Sequence, residues 1–318
     1  MRRLTWIVLC VMLITSLLAS ACAAPKAKEQ PTPTPTKRPW KVGFLYGSVI
    51  GDAGWTYAQD QGRKYVQQKL GIETVFAENI PAADAQRVLA QFAEEGCNQI
   101  FTTTNLHSDA VDKVAPKYPN VIFEAYDGFK TYPNLRVHRL RLYEGYYLAG
   151  ILAAKITKSG QAGWVAGYAA PSFPSQAGGF VLGARSVNPN FKLSCVFMNT
   201  WGDPPKEKQA AESLVTAGAG FLANSMSSPT VIQSAEAAGV YSLGRTEQCA
   251  FGPKYCAASV VVNWKQIYEK LISSALEGTW SNKETYWATA GKGEIGLAEL
   301  ATWVPADVKT LIDETAKK

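Results

Sequence analysis

The sequence predicts an α/β protein built from two doubly wound lobes. Short apolar runs alternate with segments of helical periodicity, and this alternation starts a second time beyond a long apolar helix near the middle of the chain. A chain of 318 residues is long enough for two domains of this kind. Such units form parallel sheets with helices on both faces, and ligands bind at the carboxyl ends of their strands.

The first series of elements opens with Lys41–Gly47, a short apolar run that ends in glycine and is typical of a buried parallel strand. Thr56–Leu70 follows with helical periodicity. Further strands are predicted at 74–78, 99–103, 121–125 and 137–140, and helices at 84–95, 110–117 and 143–156.

The second series repeats this pattern. Strands are predicted at 163–167, 193–199, 220–224 and 240–244, and helices at 178–187, 206–217 and 231–238. A further strand at 258–263, a helix at 264–276, a strand at 294–298 and a helix at 305–315 complete the chain. Asp203-Pro204 is typical of a helix N-cap followed by proline in the first turn, so we predict a structural role for Asp203.

The first residues are typical of a secretory signal peptide. Two arginines precede the apolar run Leu4–Leu18, and the small residues Ala19–Ala21 lead to Cys22. A cysteine in this position is similar to the lipobox of bacterial lipoproteins, so we predict cleavage before Cys22 and acylation of its thiol. The alternative is an ordinary signal peptide that is cut nearby. The Pro/Thr-rich segment at 22–39 would be an extended tether between a membrane anchor and the folded body.

Four cysteines remain in the folded body. Cys249 and Cys256 flank a turn and either form a disulfide, which an extracytoplasmic location permits, or remain thiols. Cys97 and Cys195 lie in apolar, strand-like contexts and are predicted to be buried thiols. The cysteine spacing does not match a metal site, and two histidines are too few for a multi-histidine site, so we predict no metal and no cofactor.

Several function classes find no support in the sequence. The formal charge of +6 comes from scattered Lys and Arg, which gives no indication of nucleic-acid binding. Neither His107 nor His138 belongs to a recognisable catalytic motif. Gly291–Gly296 matches G-x-G-x-x-G, but it precedes its strand, whereas a dinucleotide site follows one. We therefore predict a binding protein and not an enzyme.

The candidate binding residues follow the predicted strands. Trp55 and Tyr57 come after the first strand, and Trp201 occupies the analogous position in the second lobe. We expect the two indoles to sandwich a planar ring, although a tryptophan at such a position can also simply cap the core. The other candidates lie at or just after the ends of later strands and are Asn105, Glu124, Asp127, Glu247, Asn263 and Trp264. For Glu124 the alternative is a structural ion pair.

Three long segments carry a resemblance to a known family: KVGFLYGSVIGDAGWTYAQDQGRKYV, RLYEGYYLAGILAAKITKSGQAGWVAG and LGARSVNPNFKLSCVFMNTWGDPPKEKQAAESLVTAGAG. With the lipoprotein signal, they resemble the basic membrane protein (BMP) family of substrate-binding lipoproteins, which includes purine-nucleoside receptors of ABC importers. The resemblance implies the type I periplasmic-binding-protein fold, in which two lobes joined by a hinge close on a ligand and present it to an ABC permease.

The resemblance also implies a division of the chain. Residues 1–21 are the signal peptide, and residues 22–39 are the lipidated cysteine and tether. The N-terminal lobe takes residues 40–142 with 258–282, and the C-terminal lobe takes residues 143–257 with 283–318. A ligand-sensing subunit for a signalling partner would share this architecture and is the alternative to an importer subunit.

In nucleoside receptors of this family an aromatic ring after the first strand stacks on the base, and a second ring comes from the other lobe. Trp55 and Trp201 are the nearest matches to these two residues, and the carboxylate that pairs with the purine edge corresponds to Asp127, or to Glu124 in a shifted register.

The ribose-binding Asp and Lys of those receptors are replaced here, at 245–247 and at 263–264. The resemblance therefore implies a free nucleobase such as adenine, with another flat heterocycle such as a flavin as the alternative.

Overall fold

The computed structural model describes residues 39–169, 172–298 and 300–317. The predicted signal peptide, Cys22 and nearly all of the tether lie outside the described residues. Among the helices within the described ranges, none has the length and apolar character that a bilayer crossing needs.

The described residues form twelve strands: β1 (Lys41–Leu45), β2 (Glu73–Ala77), β3 (Gln99–Thr102), β4 (Ile122–Tyr126), β5 (Leu135–Leu140), β6 (Gln161–Ala166), β7 (Lys192–Phe197), β8 (Phe221–Asn224), β9 (Tyr241–Arg245), β10 (Cys256–Val262), β11 (Tyr286–Ala288) and β12 (Ile295–Leu297). The same residues form nine α-helices: α1 (Trp55–Leu70), α2 (Ala82–Glu94), α3 (Ser108–Val114), α4 (Leu142–Ile156), α5 (Ser172–Val187), α6 (Pro204–Thr216), α7 (Thr230–Ala238), α8 (Trp264–Leu276) and α9 (Ala306–Ala316).

Two six-stranded sheets confirm the predicted pair of α/β lobes. The first has the order β11-β5-β4-β3-β1-β2 and is parallel throughout. The second has the order β12-β10-β9-β8-β6-β7 and is parallel except for β12, which runs antiparallel to β10. In each sheet the first strand in the chain lies inside, between the second and the third, which is the doubly wound arrangement. The N-cap role of Asp203 is also confirmed, because its carboxylate accepts a hydrogen bond from the Lys206 backbone N–H.

Two strands depart from the division expected for the lobes. The segment 258–282 was expected in the first lobe, but β10 pairs with β9 and β12 of the second sheet, and only α8 returns to pack against α1. The segment 283–318 was expected in the second lobe. Its first strand, β11, was not predicted from the sequence, and it pairs with β5 in the first sheet. The chain therefore crosses between lobes three times, before α4, after β10 and between β11 and β12. The apolar sequence of β10 suits a buried strand in either sheet, so composition alone did not assign it to the second lobe.

Helices α4 and α5 of the second lobe touch backbone to backbone. Gly179 lies against the carbonyl of Tyr143, and Gly183 lies against the carbonyl of Tyr147 one turn further along. Gly150 of α4 meets the backbone of α5 in the same way, so a Cβ atom at any of these three glycines would overlap a main-chain atom of the other helix.

Cys249 and Cys256 are joined by a disulfide. The bridge ties the segment after β9 to the first residue of β10. Of the two free cysteines, Cys97 is buried as predicted, whereas Cys195 is exposed. Cys195 lies on β7, at the edge of the second sheet, where one strand neighbour is missing.

Candidate functional site

The turn after β1 places Trp55 at the start of α1. The Asp52 carboxylate accepts hydrogen bonds from the backbone N–H groups of Gly54, Thr56 and Tyr57, at 2.8, 3.0 and 3.0 Å. An acceptor in this position satisfies N–H groups that the first turn of a helix leaves unpaired, and its charge suits the positive end of the helix dipole. Asp52 therefore fixes where the helix begins and with it the position of the Trp55 ring.

Trp55 is one of a group of packed rings on the first lobe. Its indole meets Tyr126 and Trp264 edge to face, with centroids 5.1 and 5.4 Å away, and its Nε1 donates to the Thr103 carbonyl oxygen at 2.9 Å. Trp264 is buried and also packs against His138 at 6.5 Å. The orientation of the Trp55 ring is thus set before any ligand arrives.

His138 lies beneath this group as a neutral ring. Burial, reinforced by the charge of Arg136, lowers the pKa of His138 to about 3. Neither of its ring nitrogens has a hydrogen-bond partner among the described residues, and the same holds for Nε1 of Trp264.

The end of β9 and the turn that follows it present Arg245 and Glu247 from the second lobe. Gln248 is buried and holds this segment, since its side chain accepts from the Arg245 backbone N–H and donates to the carbonyl oxygens of Met226 and Ser228. The Arg245 guanidinium donates to the Ser225 carbonyl oxygen at 2.9 Å and lies 5.7 Å from the centre of a Trp55 ring.

The two lobes meet at this point. Tyr57 of α1 donates its hydroxyl hydrogen to Oε2 of Glu247 at 3.0 Å, and this bond raises the pKa of Tyr57. Gly54 faces the backbone of Ser227, where an added Cβ would lie 3.0 Å from the Cα atom. Between the lobes remains a cavity of about 20 Å³, lined by residues that include Trp55, Trp264 and Arg245.

Glu124 lies in a different environment from the one expected of a ligand-binding residue. It is fully buried in the middle of β4, where it pairs with Arg136 at 2.6 Å and accepts from Trp280 Nε1 at 2.8 Å and from Gln99 at 3.2 Å. Burial raises the pKa of Glu124, and the charge of Arg136 acts in the opposite direction. These contacts are those of the structural ion pair considered as the alternative.

Other predicted residues are also engaged locally. Asn263 is exposed and caps α8, accepting from the Gln266 backbone N–H at 3.2 Å. Asp127 follows β4 and pairs with Arg139 at 3.4 Å, while burial raises its pKa. Asn105 is half-buried in a 3-10 turn after β3, and its side chain has no hydrogen-bond partner among the described residues.

Trp201 is 42% exposed and packs edge to face on Tyr168, with ring centroids 5.3 Å apart. The ring contacts within the described ranges do not include a pair between Trp55 and Trp201. The structure therefore brings Trp55, Tyr57, Glu247 and Trp264 together, and Trp201 lies beside Tyr168.

Sequence reasoning missed Arg245 and Tyr126 as members of this group. Both are the last residues of their strands, β9 and β4, which is the position where ligand-binding residues of parallel sheets lie. The sequence predicts these strands to end at 125 and 244, so both residues followed a predicted strand, but their neighbours Glu124, Asp127 and Glu247 were preferred as candidates.

Removing the Tyr57 hydroxyl is expected to weaken contact between the lobes. In Tyr57→Phe the bond to Glu247 is lost, and since the bond is partly solvent-exposed we expect a loss of about 0.5–1 kcal/mol from the closed arrangement. Small-angle X-ray scattering would then give a larger radius of gyration. Tyr65→Phe is the matched control, because Tyr65 makes the same bond at 3.0 Å to Glu269 within the first lobe. Equal radii for the two variants would contradict a role for Tyr57 in lobe contact.

A family model and two sequence relatives associate this chain with ABC transporter substrate-binding proteins or purine-binding proteins. Residues 40–318 match the Bmp family, described as PnrA-like ABC transporter substrate-binding proteins. A purine-binding protein of Brucella abortus is 38% identical over 281 residues, which cover 86% of this chain and 79% of the relative.

A second relative, from Haloferax volcanii, is provisionally named an ABC transporter glucose-binding protein. It is 32% identical, and the match covers 86% of this chain and 69% of the relative. Among solved structures, an ABC transporter solute-binding protein of Aeropyrum pernix superposes with a TM-score of 0.77 at 21% identity, covering 88% of this chain and 91% of that one. At that identity the likeness concerns the fold alone.

Proposed function

Because the chain belongs to the family of PnrA-like ABC transporter substrate-binding proteins, we propose that it captures a purine base and delivers it to an ABC permease. Membership in this family makes the chain a substrate-binding protein rather than an enzyme, acting outside the cytoplasm on a small molecule together with a permease. The identity of the ligand is the part that we propose.

One observation supports a flat ligand. The Trp55 indole lies between the lobes, and its orientation is fixed by contacts within the first lobe. Its Nε1 is bonded to Thr103, and its ring is braced by Tyr126 and Trp264, so little side-chain entropy is lost when a planar ring stacks on it. Stacking of a base on an aromatic side chain is worth about 1–3 kcal/mol. The purine-binding relative from Brucella abortus favours a purine among flat ligands.

A base without ribose fits the side chains that replace the expected ribose partners. Glu247 is bonded to Tyr57, Asn263 caps α8 and Trp264 is buried beneath Trp55. Glu247 and Asn263 each already hold a neighbouring group, and Trp264 offers only a buried indole N–H, so the three do not reproduce an Asp and a Lys that both face a sugar. We therefore favour the nucleobase over the nucleoside.

Binding would require the lobes to separate and close again. A cavity of about 20 Å³ holds no more than a water molecule, whereas small-molecule sites measure about 300–1,000 Å³. The ligand would enter an open cleft, stack on Trp55 and favour closure through its contacts with both lobes. Lobe closure is the signal that the permease would recognise.

We also propose that the protein is anchored through acylated Cys22, with the Pro/Thr-rich segment as a tether. The support is the signal-like sequence that precedes Cys22. Mass spectrometry of the mature N-terminal peptide tests the anchor, and an unmodified Cys22 would overturn it.

The ligand is tested by thermal shift on refolded protein against hypoxanthine, adenine, adenosine, riboflavin and glucose. A purine base should raise the unfolding midpoint in proportion to the logarithm of its concentration, because it binds only the native state. Trp55→Ala should remove most of this shift, while Trp303→Ala, a partly exposed tryptophan next to Tyr241, should not. A shift with glucose alone, or a stronger shift with adenosine than with every base, would refute the proposal.

A further inference from the structure

Arg245 is a half-buried cation at the junction of the lobes. Its guanidinium lines the cavity there, next to the Trp55 ring, and one of its N–H groups donates to the Ser225 carbonyl oxygen. An arginine side chain carries five N–H donors in a planar fork. Ser225 accounts for one of them, so most of the fork has no protein acceptor among the described residues.

No carboxylate within the described ranges forms an ion pair with Arg245. Asp127 pairs with Arg139, and Glu247, two residues along the chain, accepts from Tyr57. Burial raises the pKa of Tyr126 and of Tyr146, and the charge of Arg245 opposes this rise. A partly desolvated cation without an acidic partner favours a ligand that brings acceptor atoms.

We infer that Arg245 recognises the O6/N7 edge of a 6-oxopurine, such as hypoxanthine or guanine, stacked beside it on Trp55. This inference rests on the proposed function and names the class of base. An arginine fork pairs with two adjacent acceptors, the O6 and N7 atoms of a 6-oxopurine, whereas the amide of Asn or Gln matches the N6 donor and N7 acceptor of adenine. The 6-amino group of adenine would point a donor at the donors of Arg245.

This assignment differs from the adenine expected from the sequence. The difference comes from Arg245. In the sequence analysis, Arg245 was noted only because it stands in the segment that lacks the ribose-binding aspartate of the family. In the structure it is the one charged side chain that lines the cavity between the lobes, as far as the described residues go.

Isothermal titration of refolded protein with hypoxanthine and with adenine tests the inference. The native protein should bind hypoxanthine about tenfold or more tightly than adenine. Arg245→Gln should reduce or reverse that ratio, since its amide matches adenine. Arg245→Lys, which keeps the charge and loses the fork, should lower it as well. Arg185→Gln is the control, because Arg185 also donates to a carbonyl oxygen, that of Phe191, but is exposed and lies away from the cleft.

The outcomes separate this inference from the proposed function. Equal or tighter binding of adenine by the native protein would overturn the role of Arg245 and leave purine binding standing. An unchanged ratio of hypoxanthine to adenine affinity in both Arg245 variants would also overturn it, provided that circular dichroism shows both variants to be folded. Binding of neither base would refute the proposed function and this inference with it.

Discussion

Gly183→Ala is expected to lower the free energy of unfolding by about 3 kcal/mol. The new Cβ atom would overlap the carbonyl of Tyr147, and both groups belong to the backbones of helices that cannot rotate away as a side chain can. Overpacking of this kind costs about 1–3 kcal/mol, or more where nothing yields, because α4 and α5 must move apart. Urea unfolding followed by circular dichroism measures the loss.

Gly178→Ala is the matched control in the same helix. Apart from the backbone of its own helix and its chain neighbours, no atom of the described residues lies within 4 Å of a Cβ added at Gly178, so the substitution meets open space. Alanine in a helix is favoured over glycine by about 0.5–1 kcal/mol, and we expect Gly178→Ala to be neutral or stabilising. A similar loss of stability in both variants would show that the close approach of α4 and α5 is not the cause.

Arg136→Met is expected to destabilise the first lobe by about 3–5 kcal/mol. The substitution leaves Glu124 fully buried without its cation, and a buried charge whose partner is removed carries a penalty of this size. The pKa of Glu124 should rise further, since burial already raises it and Arg136 is the main opposing influence. Stability lost at pH 7 should therefore be partly regained as the pH falls and the carboxyl group becomes protonated.

Arg139→Met is the comparison for this experiment. Arg139 lies on the same strand, and its partner Asp127 is about a third exposed, so we expect a loss of less than about 1 kcal/mol. Ligand affinity adds a second readout. If Arg136→Met changed purine binding without changing stability, Glu124 would be acting on the ligand, which is the shifted-register alternative to Asp127 that the family resemblance left open.

The fold could be predicted from the sequence because buried parallel strands are short continuous apolar runs, whereas amphipathic helices repeat their apolar residues with helical periodicity. The position of Trp55 after the first strand followed from the same rule. β11 was missed since it has only three residues, Tyr286–Ala288, and a run that short carries no measurable period. Its pairing with β5 is a tertiary contact that local pattern does not encode.

The role of individual site residues was harder to predict. Both faces of a parallel sheet are covered by helices, so alternation along β4 does not say whether Glu124 lies under α8 or in the cleft. Asn263 precedes a helix. Asparagine suits both a helix cap and a ligand contact at that position, so the residue type does not distinguish the two roles. Arg245 could not be found from a motif, because its importance depends on Trp55, a residue 190 positions earlier, lying opposite it.

The disulfide between Cys249 and Cys256 has a consequence for affinity. It closes a short loop that begins at Cys249, and Gln248, the residue directly before that loop, is bonded to three backbone groups. The segment from Arg245 to Cys249 is thus ordered when the protein folds and the disulfide forms. Its conformational entropy is not lost when the ligand binds. Under reducing conditions the segment after Arg245 would be held by the hydrogen bonds of Gln248 alone, so more of its ordering would accompany ligand binding, and affinity would fall without the loss of a ligand contact.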